Sequence, residues 1–429
     1  MNEDLRFSIV IPTRERADTL KYCLQTCVEQ ELFDNYEIIV SDNNSSQATK
    51  DVVDSFNNNR IRYFSTGKTL AMYENFEFAI SKATGEYVIV LGDDDGITLK
   101  GLYHLDKIIT KTSFKVIAWQ WLLYFWPDGV PIGLENVMYI PTSFAVNVVK
   151  GKEAIKSVIR FKMSYTRLPM LYINSAVHRD IINELKLRTG RVFNSITPDC
   201  YSGICMAYLS KQFLFLDRSL TIAAISGKSN GNNQLYKKPD NAIFKEFNQL
   251  NDSSAIQFHK SVPNLRSINA IVSDVFMQAK EGLFMNDQDL LLDRKLMISK
   301  VLEDLIVFDK AEWHSSIVTI KNTLLDDDIL LKWFEKKILS YKPKLKDVSL
   351  KENLITGLNF NTLTIDGSNF GCKNVYDVAQ FYNKSFDSDI YIPDDVKWND
   401  GLRPEKFVSI LEKVFKRLKH ACRIIIKGS

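Results

Sequence analysis

The chain has 429 residues, 45% of them hydrophobic, and a formal net charge of +3. That length predicts two or three units, each with enough apolar content to bury a core. The near balance of charge, with no basic stripe of interleaved aromatics outside the last segment, argues against a nucleic-acid partner.

The opening "MNEDLRFSIV" lacks a basic-then-apolar leader, and no apolar run approaches the ~18 residues of a membrane span, so a soluble or peripherally attached cytoplasmic protein is expected. "FSIVI" (Phe7 to Ile11) reads as a buried strand. In "PTRERADTLKYCLQTCVEQ", Ala17, Leu20, Leu24, Cys27 and Val28 recur at helical spacing. "YEIIV" ends in the turn-rich "SDNNSS", "IRYF" follows, and Met72, Phe76, Ala79 and Ile80 mark one helix face before "GEYVIVL". Strands alternating with helices predict an α/β fold, a doubly wound and mostly parallel sheet buried on both faces. "KVIAWQWLLYFW" (Lys115 to Trp126), "YINSAVH" (Tyr172 to His178) and "FLFL" (Phe213 to Leu216) read as further strands, with a helix from about Tyr201 to Lys211.

The polar, Gly- and Asn-rich "SGKSNGNNQLYKK" predicts a boundary near residue 239, ending a first domain over 1–239. Residues 240–345 read as mainly helical, with Asp326 to Asp328 a loop or helix start, and 346–429 as a mixed C-terminal region. The cysteines Cys23, Cys27, Cys200, Cys205, Cys372 and Cys422 form no CxxC pair and read as small buried hydrophobes. His104, His178, His259, His314 and His420 are scattered without ligand spacing.

Chemistry concentrates in "YVIVLGDDDGIT" (Tyr87 to Thr98), where a buried strand runs into three aspartates. Adjacent carboxylates repel one another unless a cation or a set of donors offsets them. In an open parallel sheet, ligands gather at the carboxyl ends of the strands, and "PTRER", "SDNNSS" and "GDDDG" share that address. Two aspartates there can share Mg²⁺ or Mn²⁺ with the oxygens of a diphosphate. A capped turn is the competing structural reading of Asp93 to Asp95, and an Asx-turn that of Asp42.

"FSIVIPTRERADTLKYCL", "YEIIVSDNNSS" and "NFEFAISKATGEYVIVLGDDD" resemble the nucleotide-diphospho-sugar-binding half of family-2 glycosyltransferases of the GT-A fold, over about Phe7 to Gly231. The resemblance implies that Pro12, Thr13 and Glu15 line a nucleotide pocket, that Asp42 bonds the base or ribose, and that Asp93 to Asp95 supply the DxD-type contacts. Within that triplet Asp94 would hold the metal, Asp93 face the ribose and Asp95 support the metal site. Many members carry an aspartate where this chain has Gly92, a departure that keeps open a degenerate binding module. The family's inverting mechanism needs a general base at a helix start well past the DxD, and Asp199 in "SITPDCYSGICMAYL" is the candidate. Its competing reading is a helix cap. Ser226 and Lys228 are expected to touch the diphosphate or acceptor.

The tail "EKFVSILEKVFKRLKHACRIIIKGS" sets apolar residues on one helical face and lysines and arginines around it, the composition of a helix attracted to anionic membrane. The motifs with the resemblance imply an inverting, Mn²⁺- or Mg²⁺-dependent transferase. It would move a sugar from a nucleoside-diphosphate donor, UDP-linked, to a glycan or polyprenyl-linked oligosaccharide in bacterial surface polysaccharide assembly (O-antigen or capsule). A sugar nucleotidyltransferase would carry a Gly-rich GxGTR-type loop where this chain reads "IPTRER".

Overall fold

The computed structural model describes residues 5–129, 133–229, 245, 249–251, 256–305, 310–340, 357–359 and 361–387. The tail expected to bind membrane, and Cys422 within it, lie outside the described residues.

Every residue of β1 (Phe7–Thr13) is buried, because the strand has cores on both of its faces. Alternation sends Ile9 and Ile11 into one core, with Leu20, Cys23 and Leu24 of α1 (Ala17–Val28), and Val10 into the other, with Phe76 and Ala79 of α2 (Met72–Ile80). The strands β2 (Tyr36–Asp42), β3 (Ile61–Ser65) and β4 (Tyr87–Val90) join β1 in parallel, in the order β3-β2-β1-β4. This is the doubly wound half that the hydrophobic pattern predicts.

Beyond β4 the strand reading needs correction. "KVIAWQWLLYFW" is two strands, Val116–Trp119 and Leu122–Phe125, and they enter different sheets. Trp119 packs in the core under the first sheet, whereas Leu122 and Tyr124 pack in a separate core with Met138 and Ile222. Only Ser175–His178 of "YINSAVH" is a strand, and it lies antiparallel between Tyr87–Val90 and Val116–Trp119. Two strands, Val137–Pro141 and Val146–Lys150, and two helices, Gly151–Ile159 and Arg179–Thr189, complete this region. The main sheet is therefore eight-stranded and mixed, and a second sheet of six strands stands beside it.

Next to the edge of the second sheet is the strand Thr221–Ile225, parallel to Leu122–Phe125 and antiparallel to the edge strand Gly96–Ile97, which follows the aspartates directly. The C-terminal stretch extends this sheet, since Thr362–Asp366 pairs with Val137–Pro141. A helix over Val375–Ser385 then packs Val375, Val378, Ala379 and Tyr382 into the same core as Leu122 and Ile222. Just past that helix, Asp387 meets both His104, at 2.8 Å, and Arg218 in a site where all three side chains are buried. Removing one partner of a buried ion pair costs about 3–5 kcal/mol, so this contact fastens the stretch to the sheet domain.

Helices over Ile268–Leu283, Arg294–Asp304, Lys310–Thr323 and Asp328–Ser340 confirm the helical reading of that part of the chain. The acidic run there starts a helix, with Asp327 Oδ1 accepting from the Leu330 amide at 2.9 Å. Cys23, Cys27, Cys200, Cys205 and Cys372 are buried free thiols, as expected. Among the described residues no helix is long and apolar enough to cross a membrane.

Candidate active site

The loops after β1, β2 and β4 meet at the carboxyl ends of the parallel strands. Thr13, the last residue of β1, donates from Oγ1 to Asp93 Oδ2 at 2.7 Å. Glu15, held at φ 52°, accepts from the Ser46 amide and hydroxyl at 2.7 and 2.8 Å and donates its own amide to Ser45. It thereby latches the first loop to the second. Pro12 is buried beside Ser41 in the β1–β2 register. Asp42 accepts from the Ser45 amide at 2.9 Å, which is an Asx-turn, and its other oxygen accepts from Tyr63 at 2.5 Å.

The three aspartates are all buried, yet they face three different ways. Asp93 accepts from Thr13 and, at 2.9 Å, from the guanidinium of Arg16. Asp94 Oδ2 accepts from the Ser226 hydroxyl at 2.6 Å, and its Oδ1 lies 3.7 Å from Arg16, an ion-pair distance longer than a hydrogen bond. Asp95 turns inward and accepts from the Gly92 amide at 2.9 Å and the Ala224 amide at 2.8 Å. The indole of Trp126 donates to the Asp94 carbonyl at 3.0 Å and so fixes the backbone of the triplet.

Electrostatics follow from this geometry. Burial pushes Asp93 upward and Asp94 adds to the push, while Arg16 opposes it. Burial and the Asp94 charge push Asp95 up to about 8, against the pull of the hydrogen bonds donated to it by Ala224, Tyr172 and Gly92. Arg16 sits at the N-cap of α1, where a helix dipole disfavours a cation. Burial works against its charge as well, but Asp93 and Asp94 outweigh that and hold it protonated above its ordinary range. The positive partner that three adjacent carboxylates require thus includes a residue of the first loop.

Gly92 has a structural reason. A Cβ there would meet Asp95 Oδ2 and the Tyr172 hydroxyl, each at 2.6 Å. The space an aspartate side chain would need at position 92 is already filled by a carboxylate and its donor. Tyr172 is held protonated well above the usual phenol range, by burial first and then by Asp95 and Asp94, and the Asp199 charge acts on it too. Its neighbour Ile173 has φ 60°, a left-handed conformation that a β-branched residue adopts only under strain. Asp199 stands in the first turn of the helix Pro198–Ser210, with Pro198 at the start. It keeps some surface exposure but is densely surrounded, and this desolvation raises its carboxyl above the ordinary range despite the amides of Cys200 and Asp199 itself.

Ser226 and Lys228 both reach this region, though differently. Ser226 is buried against Asp94, whereas the Lys228 ammonium pairs with Asp18 at 3.0 Å and its carbonyl accepts from Arg16 at 2.5 Å. Sequence reasoning passed over Arg16, Tyr172 and Trp126. Arg16 stands in the quoted "PTRER" loop, and a cation there opposite three aspartates was the available signal. Tyr172 and Trp126 carried none, because only folding brings them to the triplet.

The donor set can be tested against a divalent cation. Asp93 and Asp95 each have both oxygens engaged, and among the described residues no group of three or more His, Cys, Asp or Glu converges as ligands. Asp94 Oδ1 is the carboxylate oxygen of the triplet with the looser partner, Arg16 at 3.7 Å. One such oxygen fits a cation shared with substrate phosphates, the usual arrangement for Mg²⁺, rather than one caged by protein.

Residues 8–164 match the family described as "Glycosyl transferase family 2". The "GalNAc(5)-diNAcBac-PP-undecaprenol beta-1,3-glucosyltransferase" of Campylobacter jejuni is 36% identical over 93 residues, 21% of this chain and 30% of that protein. The abequosyltransferase RfbV of Salmonella typhimurium is 33% identical over 99 residues, 22% of this chain and 30% of that protein. The matched region therefore spans less than a third of either relative. Among solved structures, S. aureus TarS 1-349 in complex with UDP-GlcNAc superimposes with a TM-score of 0.49 at 16% identity, covering 74% of this chain and 80% of that one. The residues matched and these two relatives support a family-2 glycosyltransferase reading of residues 8–164.

Proposed function

We propose that this protein transfers a glycosyl group, with inversion, from a nucleoside-diphosphate sugar to a hydroxyl of a glycan or lipid-linked oligosaccharide. The observation that carries the reading is the meeting of three strand-end loops at one buried carboxylate set, with Thr13 and Arg16 bonded to Asp93 and Ser226 bonded to Asp94. The nucleoside lies along the latched loops that carry Pro12, Glu15 and Asp42, with UDP the favoured donor class. Asp93 meets the ribose, and Ser226 and Lys228 border the diphosphate. Asp94 is the residue that would hold Mn²⁺ or Mg²⁺, which when bound supplies Lewis-acid relief of charge on the leaving diphosphate. Asp95 holds the loop in place through Gly92 and Ala224.

In the reaction, the acceptor hydroxyl gives its proton to the Asp199 carboxylate as its oxygen bonds the anomeric carbon. The bond from that carbon to the diphosphate oxygen breaks, and the nucleoside diphosphate leaves with the electron pair. One catalytic carboxylate suffices, and direct displacement inverts the centre. The name of one relative, a glucosyltransferase of an undecaprenol-linked glycan, supports a polyprenyl-linked acceptor, and bacterial surface polysaccharide assembly is the setting this reading gives it. A peripheral position at the inner face of the membrane follows from such an acceptor.

The test is calorimetric titration with UDP, GDP and dTDP, each with and without Mn²⁺, on the wild type and on Asp94→Ala. The expected result is Mn²⁺-dependent binding of UDP that the substitution abolishes. Binding of none of the three nucleotides would overturn the reading.

A further inference from the structure

Arg16 holds a position that only its carboxylate partners explain. It opens α1, where the helix dipole disfavours a positive charge, and it makes no cap with its side chain. Its guanidinium instead spans Asp93 at 2.9 Å and Asp94 at 3.7 Å, while its other terminal nitrogen donates to the Lys228 carbonyl. These contacts leave its side chain mostly covered, and the carboxylates beneath are buried. Buried like charges need a compensating cation, and the guanidinium supplies one from within the chain. The Asp94 oxygen that faces Arg16 is also the one whose chemistry suits a divalent cation.

A second cation at Asp94 Oδ1 would lie against the guanidinium in a poorly solvated site, where like charges repel strongly. Arg16 and a divalent metal therefore cannot both hold Asp94 at full strength. We propose that Arg16 is the resident cation of the aspartate loop and competes with divalent metal for Asp94, so that the free protein binds the metal weakly. This rests on the reading of Asp94 as the metal-holding residue. The competition makes metal binding by itself unfavourable and leaves the site to be completed when a diphosphate brings its own negative charge.

The test uses Mn²⁺ alone, without nucleotide, titrated into the full chain while free Mn²⁺ is read by its paramagnetic resonance. Arg16→Gln, which keeps hydrogen-bonding capacity and removes the charge, should bind Mn²⁺ at least about tenfold more tightly than the wild type. Arg16→Lys keeps the charge without the two-pronged reach and should show a smaller gain in the same direction. Adding Asp94→Asn to Arg16→Gln should erase the gain. A merely structural role would loosen the loop and weaken Mn²⁺ binding in both Arg16 variants. Equal or weaker binding in Arg16→Gln overturns the proposal, and if that variant does not fold, equal or weaker binding in Arg16→Lys overturns it instead. Because no nucleotide is present, a gain in Mn²⁺ affinity can stand even if nucleotide titration fails, and the converse outcome separates the two readings equally well.

Discussion

Gly92→Asp is expected to destabilise the protein and abolish transfer. The new Cβ would start 2.6 Å from both Asp95 Oδ2 and the Tyr172 hydroxyl, well inside contact distance. To make room, Asp95 must leave the Gly92 and Ala224 amides, which are then left without their carboxylate acceptor. A fourth carboxylate would also join a buried set already short of positive charge. Overpacking combined with buried, poorly compensated charge gives an expected loss of at least about 3 kcal/mol. A fall in the urea midpoint of the sheet domain, together with loss of product, checks this. Gly92→Ala, which adds the clash without the charge, should show a smaller loss in the same direction. A Gly92→Asp protein as stable and active as the wild type would mean that the Asp95–Tyr172 arrangement does not govern the site.

Asp199→Asn is expected to lower turnover by about 10²-fold or more while donor affinity holds, the usual contribution of a general base. The pH dependence supplies an independent check. Desolvation raises the Asp199 carboxyl above its ordinary range, and the base works only when ionised. The rate should therefore rise with pH through that raised value, with its acid limb above the ~4 of an exposed aspartate. In Asp199→Asn the limb should vanish from the residual rate. A full rate in the variant would assign proton removal to another group, and Asp199 would be a helix cap.

Much of the first half was legible because its strands are buried on both sides. Runs such as "FSIVI" and "YEIIV", each followed by a polar loop and a helical repeat, fix parallel strands and place their loops at one end. The aspartate triplet was legible for the same reason. The strand Val116–Trp119 and its continuation Leu122–Phe125 were not separable, since both are apolar and a pattern of residues does not tell which sheet receives them. Nor does such a pattern separate antiparallel from parallel neighbours, which is why Ser175–His178 reverses the run of the sheet unannounced. Within the site, residue types were readable and orientations were not. Asp95 reads like its neighbours in sequence but turns inward, because Ala224 arrives from a strand more than a hundred residues later. Gly92 looked like a departure from a motif until the fold showed Asp95 and Tyr172 in the space it leaves.

The most direct test of the transferase reading is the product itself. The 429-residue chain with Mn²⁺ is incubated with a panel of UDP-hexoses and UDP-N-acetylhexosamines and a polyprenyl-diphosphate oligosaccharide acceptor. Mass spectrometry then reads any added sugar, and nuclear magnetic resonance its anomeric configuration. One donor giving an acceptor lengthened by a single sugar of inverted configuration is the predicted result. Neither transfer nor hydrolysis with any of these donors, nor with the matching GDP and dTDP sugars, would contradict it.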